Sequence, residues 1–359
     1  HVARISRRPT RQEQDVPVTG RAFTFAPTPR RSVSRTATTF QTVGYLIRNP
    51  PLQHVLCYPY MMRTFLILLA PVVLALAHPV TAQEMPAECA AALKPLSRQG
   101  DYKDGVLKVN IPRNDVNVSI DGVATPTPFG FGGWIALTKG DHGDVMMGDL
   151  VLTENEVNPV MSAVLDNGLE VTALHNHFFY ETPRMFYMHV HGHGTTADIA
   201  KRIAPALALI GKTRLPATVG SGKPIEGKLD VARLATIVGQ EGEQTGAVYK
   251  ITIGRPDIPL KEMGAAINAR MGLNTWAAFY GTDADAVVAG DVAMRAEEVM
   301  PVLKALRSNG IDVVAIHHHM VGTEPTVYFL HYWGRGPAEK LASSFRAAVE
   351  QTGHRGARR

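Results

Sequence analysis

The chain has only two cysteines, Cys57 and Cys89, among its 359 residues. So few cysteines cannot build a disulfide framework, and they exclude a zinc site made of clustered thiolates. The sequence also lacks an apolar run of about 20 residues, the length that a membrane-spanning helix needs. With 45% hydrophobic and 19% charged residues, the composition is that of an ordinary globular protein, which excludes a disordered, collagen-like or coiled-coil chain.

A basic domain surface is missing too, although the formal net charge is +5. Residues 1–63 contain ten arginines, no lysine and only Glu13 and Asp15 as acids, which leaves 27 basic and 30 acidic groups in the rest of the chain. Because a nucleic-acid-binding domain needs its own basic face, we expect no nucleic-acid partner. The glycine-rich segment 130–133 is not followed by a P-loop or Rossmann fingerprint, so we expect no nucleotide cofactor.

Residues 61–82 have the pattern of a secretory signal peptide. Two methionines and Arg63 precede an apolar run over 64–77, and alanine-containing cleavage sites follow. We therefore expect a periplasmic or secreted protein with no transmembrane span in its mature form. We interpret 1–60 as an extension upstream of the natural start at Met61 or Met62; a genuine basic extension or a transit peptide is the alternative.

The chain contains an internal duplication. A shift of 142 residues aligns 85–210 with 227–352 without a gap. The identical pairs include Arg113/Arg255, Trp134/Trp276, Asp149/Asp291, Glu156/Glu298, His175/His317, His177/His319 and His189/His331. Because the period is far longer than that of solenoid repeats, each copy is a domain-sized unit. We expect a linker over 211–226 and a basic tail over 353–359.

The pattern within each copy predicts an α+β fold, with helices packed on a mainly antiparallel sheet. In the first repeat we expect helices over 86–98, 153–167 and 196–209, and strands over 106–112, around Trp134 and Val145, and over 169–180 and 185–193. The second repeat should follow the same order. The segment Thr153-Glu154-Asn155-Glu156 is a capping-box pattern, which marks the start of the middle helix.

Nine of the 14 histidines lie in the last two strands of the repeats. They are His175, His177, His189, His191 and His193 in the first repeat, and His317, His318, His319 and His331 in the second. Because side chains alternate across a strand, His175 and His177 share one face, together with Val171 and Ala173. If the hairpin pairs His177 with His189 and His175 with His191, both strands direct their imidazoles to one place in the repeat. A register shifted by one residue would put the two sets on opposite faces.

Neutral imidazole is the commonest nitrogen ligand, and three histidines on adjacent strands can hold zinc, copper or nickel. The sequence therefore predicts transition-metal binding by the histidines of the repeats, with the aligned histidines as ligands and, in the first repeat, also His191 and His193. We expect the two repeats to bind metal unequally, because the first offers five imidazoles and the second three in the aligned positions. A metal-free histidine pair that transfers protons and a structural hydrogen-bond network are the alternatives. No nucleophile–base pair stands out. A metal- or histidine-dependent enzyme with a cell-envelope substrate and a metal-free binding or scaffold protein both stay open.

Three further recurring pairs have a structural interpretation. We interpret Asp149/Asp291 and Glu156/Glu298 as turn, cap and salt-bridge residues, with a role as hydrogen-bond partners of the histidines as the alternative. We interpret Trp134/Trp276 as core residues, with stacking on a ligand as the alternative. We likewise interpret Cys89 as a small core residue, because it aligns with Val231.

Segments 148–154, 156–160, 173–177 and 183–189 resemble the LppY/LpqO family of exported bacterial proteins. The resemblance implies secretion and the duplicated domain, and the family has no established function, so it implies no mechanism. Some members are lipoproteins. This sequence has no lipobox before Cys89, which favours a soluble periplasmic form. We expect its partner to be a small molecule or a cell-envelope component.

Overall fold

The computed structural model describes residues 83–212 and 220–353. The predicted signal peptide, the extension before it, part of the linker and residues 354–359 of the tail lie outside the described residues. Each repeat forms a six-stranded antiparallel sheet with three helices, which confirms the predicted α+β fold of two homologous repeats. Among the described residues, no helix has the length and apolar character that crossing a bilayer requires.

The first repeat contains three helices and nine strands. They are α1 (Ala87–Leu96), β1 (Asp101–Lys103), β2 (Val106–Pro112), β3 (Val118–Ile120), β4 (Val123–Thr125), β5 (Gly132–Thr138), β6 (Asp144–Thr153), α2 (Glu154–Asp166), β7 (Glu170–His175), β8 (Glu181–Thr182), β9 (Met185–Gly194) and α3 (Thr196–Leu209). The large sheet has the order β1-β2-β5-β6-β9-β7, and β4-β3-β8 form a small second sheet that the sequence did not predict.

The second repeat has the same order of helices and main strands. Its elements are α4 (Val231–Val238), β10 (Glu243–Thr245), β11 (Val248–Gly254), β12 (Lys261–Glu262), β13 (Ala265–Ala266), β14 (Asn274–Gly281), β15 (Ala286–Met294), α5 (Ala296–Ser308), β16 (Asp312–His317), β17 (Tyr328–Gly336) and α6 (Ala338–Val349). The large sheet has the equivalent order β10-β11-β14-β15-β17-β16.

The helices cover one face of each large sheet. In the first repeat α1, α2 and α3 contribute apolar side chains at helical spacing, such as Val157, Val160 and Val164 of α2, to a core shared with alternate residues of the strands. Cys89 is buried in this core, as its alignment with an apolar residue predicted. The helices of the second repeat form an equivalent core.

A buried ion pair holds the start of α2 on the sheet. The Arg113 guanidinium donates to Glu156 Oε2 at 2.6 Å, and the Thr153 backbone N–H donates to the same carboxylate at 2.8 Å. Arg255 and Glu298 form the same pair at the start of α5. The recurring glutamates are therefore cap and salt-bridge residues, as the sequence indicated.

The uncovered faces of the two sheets meet each other through reciprocal packing. The segment between β2 and β5 carries Phe129 and Phe131, which pack in a core with residues of the second sheet such as Tyr280. The equivalent segment between β11 and β14 carries Met271, which packs in a core with Ala136 and Met147 of the first sheet and other residues. Each repeat thus covers the sheet of the other, and residues on the inner faces are enclosed between the two.

The hairpin does not have the register considered in the sequence analysis, and the face expected for Val171 was wrong. Strand β7 pairs His175 with Tyr187, Ala173 with His189 and Glu170 with His191, because the chain leaves the sheet after His175 and a longer connection follows. The pairing also shifts between Val171 and Ala173, as a β-bulge does. Val171 consequently contacts the helix-side core instead of sharing a face with the histidines.

Candidate metal centre

The alternation of side chains along β9 places His189 between the two sheets. Its neighbours Met188 and Val190 are buried in the core beneath the helices, whereas Tyr187 belongs to the core between the repeats. The side chain of His189, on the same face as Tyr187, is only 2% exposed. Because side chains alternate along β9, the strand packs apolar residues beneath the helices and places the His189 imidazole between the two sheets.

Strand β17 does the same in the second repeat. Leu330 and Tyr332 pack beneath the helices, Phe329 packs between the repeats, and His331 is 2% exposed. The Nδ1 atom of His331 lies 3.2 Å from the carbonyl oxygen of Gly290 on the adjacent strand β15. This contact fixes the orientation of the ring and directs Nε2 away from the strand.

The structure joins the histidines of both repeats into one cluster. Its six members, which we call the His cluster, are His175, His177, His189, His317, His319 and His331. Ring centroids lie 3.7 Å apart for His175 and His317, which are the last residues of the equivalent strands β7 and β16. The ring centroids of His177 and His331 lie 3.6 Å apart, and those of His189 and His319 lie 4.0 Å apart. These two contacts are equivalent, because each joins the same two aligned positions with the repeats exchanged.

Most ring nitrogens of the His cluster are buried without a hydrogen-bond partner. Neither nitrogen of His177 nor of His317 has one, and Nε2 of His175, His189 and His331 and Nδ1 of His319 have none. A buried polar group without a partner costs about 1–3 kcal/mol. Eight such nitrogens in one cluster are available as ligands to an ion or as partners of water.

Burial keeps the imidazoles of the His cluster in the neutral form that binds metals. Burial lowers the pKa of His175 to about 4, and burial together with nearby His175 lowers that of His317 to about 2. The pKa values of the other four are held well below 6.5, mainly by burial and also by neighbouring histidines. Protons therefore do not compete for these nitrogens at neutral pH.

Two groups of three within the cluster could hold a metal ion. One comprises His175, His317 and His331, and the other His189, His317 and His319. In each group one nitrogen per residue lies within 4.8 Å of the others. Both groups contain residues of both repeats, and both contain His317. The predicted pair of separate sites, one in each repeat, was therefore wrong in its geometry, because the hairpins pack against each other.

The other predicted histidines lie apart from these groups. His177 belongs to the cluster, but its ring stacks on Tyr187, with the centroids 3.3 Å apart. His191 is buried two residues beyond His189, and its Nδ1 lies 3.4 Å from Glu262 Oε1. His193 is exposed at the end of β9, and the ring of His318 lies 4.8 Å from that of Tyr328.

A cavity of about 550 Å³ borders the cluster at His177, His319 and His331. It is lined by Asp149 and Asp291, which corrects their interpretation as turn or cap residues. Asp291 is 3% exposed; it accepts a hydrogen bond from the Leu330 N–H, and its Oδ2 lies 3.7 Å from His319 Nε2. Burial raises the pKa of Asp149 to about 7 and that of Asp291 well above its usual range.

Equivalent lysines and tryptophans from the two repeats also line the cavity. Trp134 and Trp276 are half-buried in its wall and are not core residues alone. Lys108 and Lys250 are identical in the aligned repeats, a signal that the sequence contained and that our interpretation of it missed.

Comparison with solved structures finds remote likenesses. The trimeric bacterial microcompartment shell protein PduB is 12% identical over 70% of this chain and 91% of its own, with a TM-score of 0.18. EtuB from Clostridium kluyveri is 10% identical over 69% of this chain and 89% of its own, with a TM-score of 0.17. Scores this low carry no argument about fold or function. No curated protein matches the chain significantly.

A family model matches both repeats. The model, described as a domain of unknown function (DUF1259), matches residues 90–209 and again 232–351. The two matches fall on the two structural repeats and include every member of the His cluster. This chain therefore belongs to the DUF1259 family of domains of unknown function, of which it carries two tandem copies.

Proposed function

We propose that this protein binds a transition-metal ion in the His cluster, between its two repeats. The observation that carries the proposal is the convergence of buried, neutral imidazole nitrogens that have no hydrogen-bond partner. Ligation to a metal satisfies such nitrogens, and it explains why both repeats have histidine at the same three aligned positions.

The ligand type points to zinc, copper or nickel. Each group of three offers only neutral nitrogen donors, which suit these borderline metals better than magnesium or calcium. Three protein ligands leave one position open on a four-coordinate ion. His317 belongs to both groups, so its loss removes a ligand whichever group holds the ion.

Calorimetric titration of the chelator-treated protein with zinc, copper and nickel tests this proposal. His317→Gln should weaken binding by more than about 100-fold, beyond the loss typical of an outer partner. His193→Gln is the matched control, because this exposed histidine lies on β9 outside the cluster. Equal affinity of both variants and the wild type for all three metals would show that the cluster is structural. Elemental analysis of protein purified from its natural source would identify the metal.

We also propose that the protein is exported and belongs to the LppY/LpqO group. The basic, apolar and small-residue pattern over 61–82 supports export, and the duplicated domain together with the motifs around the histidines supports the grouping. Sequencing the N-terminus of the native protein tests the export proposal. A start at His78 or Gln83 is expected, and retention of residues before 61 would refute it.

A second candidate function is that of a metal-dependent enzyme with a cell-envelope substrate. The cavity that reaches His319 and His331 favours it, because a substrate there would lie beside the ion. Cobalt substitution tests whether the ion has an open position. Thiocyanate should change the visible spectrum of the cobalt protein if a coordination site faces the cavity, and an unchanged spectrum would favour a closed, structural ion.

A further inference from the structure

The cavity beside the His cluster combines the same cationic side chain from both repeats. Lys108 on β2 and Lys250 on β11 occupy aligned positions, and both line the cavity. The Lys108 ammonium lies 4.5 Å from the ring centroid of Trp134, and the Lys250 ammonium lies 4.0 Å from that of Trp276. Both cations are thus held over aromatic faces in the same cavity wall.

Neither ammonium group forms an ion pair with a carboxylate in the part of the chain that the structure describes. Lys108 has one long contact, 3.5 Å to the carbonyl oxygen of Arg270. Burial is the largest cause that lowers the pKa of each lysine to about 8; the like charge of Lys250 contributes to the shift of Lys108, and nearby carboxylates, Asp149 among them, oppose both shifts. Two cations therefore lie close together in a partly enclosed space, and the carboxylates near them, such as Asp149, attract them from beyond ion-pair distance.

Asp149 and Asp291, two of the acidic residues that line the cavity, form no direct ion pair with either lysine. The Asp291 carboxylate accepts a backbone hydrogen bond from Leu330 and is directed towards His319. The Oδ1 atom of Asp149 is buried and has no hydrogen-bond partner, so this carboxyl group also lacks a contact that a ligand would supply. A negatively charged ligand would form charge-assisted hydrogen bonds with the two lysines. A hydroxyl group of that ligand, or a water molecule bound beside it, would donate a hydrogen bond to Asp149.

We propose that this cavity binds a small oxyanion, a carboxylate or a phosphate, held between the ammonium groups of Lys108 and Lys250. A volume of about 550 Å³ is enough for a small metabolite with a few water molecules. The anion would lie beside His319 and His331, and hence next to an ion in the His cluster. The lysines do not depend on that ion, so anion binding does not require the metal.

Calorimetric titration of the full chain with inorganic phosphate and with malonate tests the proposal, first after chelator treatment and then with zinc added. At pH 7 we expect one anion per chain, and the tighter of the two probes identifies the oxyanion as phosphoryl or carboxyl. Lys108→Met and Lys250→Met should each weaken binding by about 10-fold or more, whereas Lys250→Arg should retain it within about threefold because the charge is kept. Lys304→Met, on the exposed face of α5, is the matched control.

The outcomes separate this proposal from metal binding. Anion binding to the metal-free protein that is lost in the methionine variants supports the proposal even if no metal ever binds. Absence of binding of both anions to the wild type, with and without zinc, would overturn it. Binding that is equally strong in Lys108→Met, Lys250→Met and the wild type would overturn it too. The arginine variant covers the case in which a methionine variant fails to fold.

Discussion

Replacing His177 with phenylalanine isolates what the buried imidazoles cost the metal-free protein. His177 is 5% exposed, both ring nitrogens lack a partner, and the ring stacks on Tyr187. It belongs to neither group of three that could hold an ion. The phenylalanine ring has a similar shape and no polar atom, so the substitution removes the unsatisfied nitrogens and leaves the aromatic contact in place.

The sign of the pH effect follows from the direction of the pKa shift. Burial, together with the nearby His331, holds the pKa of His177 well below 6.5 in the folded protein. Below pH 6.5 the unfolded chain therefore binds a proton that the folded protein does not bind, and stability falls as the pH is lowered. At pH 5, which is 1.5 units below the reference value, this single imidazole costs about 2 kcal/mol of unfolding free energy.

Urea unfolding of the chelator-treated protein, followed by far-UV circular dichroism at pH 7.5 and pH 5, measures the effect. The quantity to compare is the unfolding free energy of His177→Phe minus that of the wild type. This difference should be about 2 kcal/mol larger at pH 5 than at pH 7.5. Any packing cost of the larger ring is the same at both pH values and cancels in this comparison. The buried carboxyl groups, whose raised pKa values act in the opposite direction, cancel as well.

His193→Phe is the control, because this exposed histidine should show the same difference at both pH values within about 0.5 kcal/mol. A pH-independent effect of His177→Phe would refute the reasoning. It would mean that the His177 imidazole is hydrated or hydrogen-bonded in solution and is protonated as readily as in the unfolded chain.

Two further predictions concern the framework around the site. Arg113→Met should lower the unfolding free energy by about 3–5 kcal/mol, because it leaves the fully buried Glu156 without its cationic partner. Arg233→Met breaks the exposed pair with Glu339 and should cost less than about 1 kcal/mol. Urea unfolding of both variants tests this, and equal effects would contradict it. Leu150→Ala should cost about 2–5 kcal/mol because the side chain is fully buried beneath the helices, and the exposed Leu165→Ala should change stability by no more than about 0.5 kcal/mol; similar melting temperatures of the two variants would contradict that assignment of the core.

Local patterns in the sequence were sufficient for the elements of each repeat. The gapless duplication, the capping box at Thr153 and the alternation around His189 predicted helices and strands that the structure contains, with ends that differ by a few residues. Alternation fails at a bulge, which adds a residue without a sequence mark, and this explains the wrong face assigned to Val171. The small sheet of β3, β4 and β8 was missed because its strands are only two or three residues long.

The assembly of the site could not be predicted in the same way. Nothing local to His175 or His317 indicates that the two rings meet, because that contact depends on how the repeats pack over a separation of 142 residues. The recurrence of Lys108/Lys250 and Asp149/Asp291 was visible, yet recurrence alone does not distinguish a structural residue from a ligand-binding one. Only the packing of the two sheets shows that these residues line one cavity.

The reciprocal contacts between the repeats have a consequence for how the site can change in evolution. If one gene product formed the same arrangement by pairing with itself, every substitution would appear twice, once on each side of the symmetry axis. Fusion of two copies into one chain removes that constraint. His191 of the first repeat faces Glu262 of the second. At the aligned positions the other copies have Trp333 and Ile120, which lie in the apolar core between the repeats. One side of the symmetry axis therefore has a polar pair and the other side an apolar one. A fused pair can thus acquire a directional site, which an identical pair cannot.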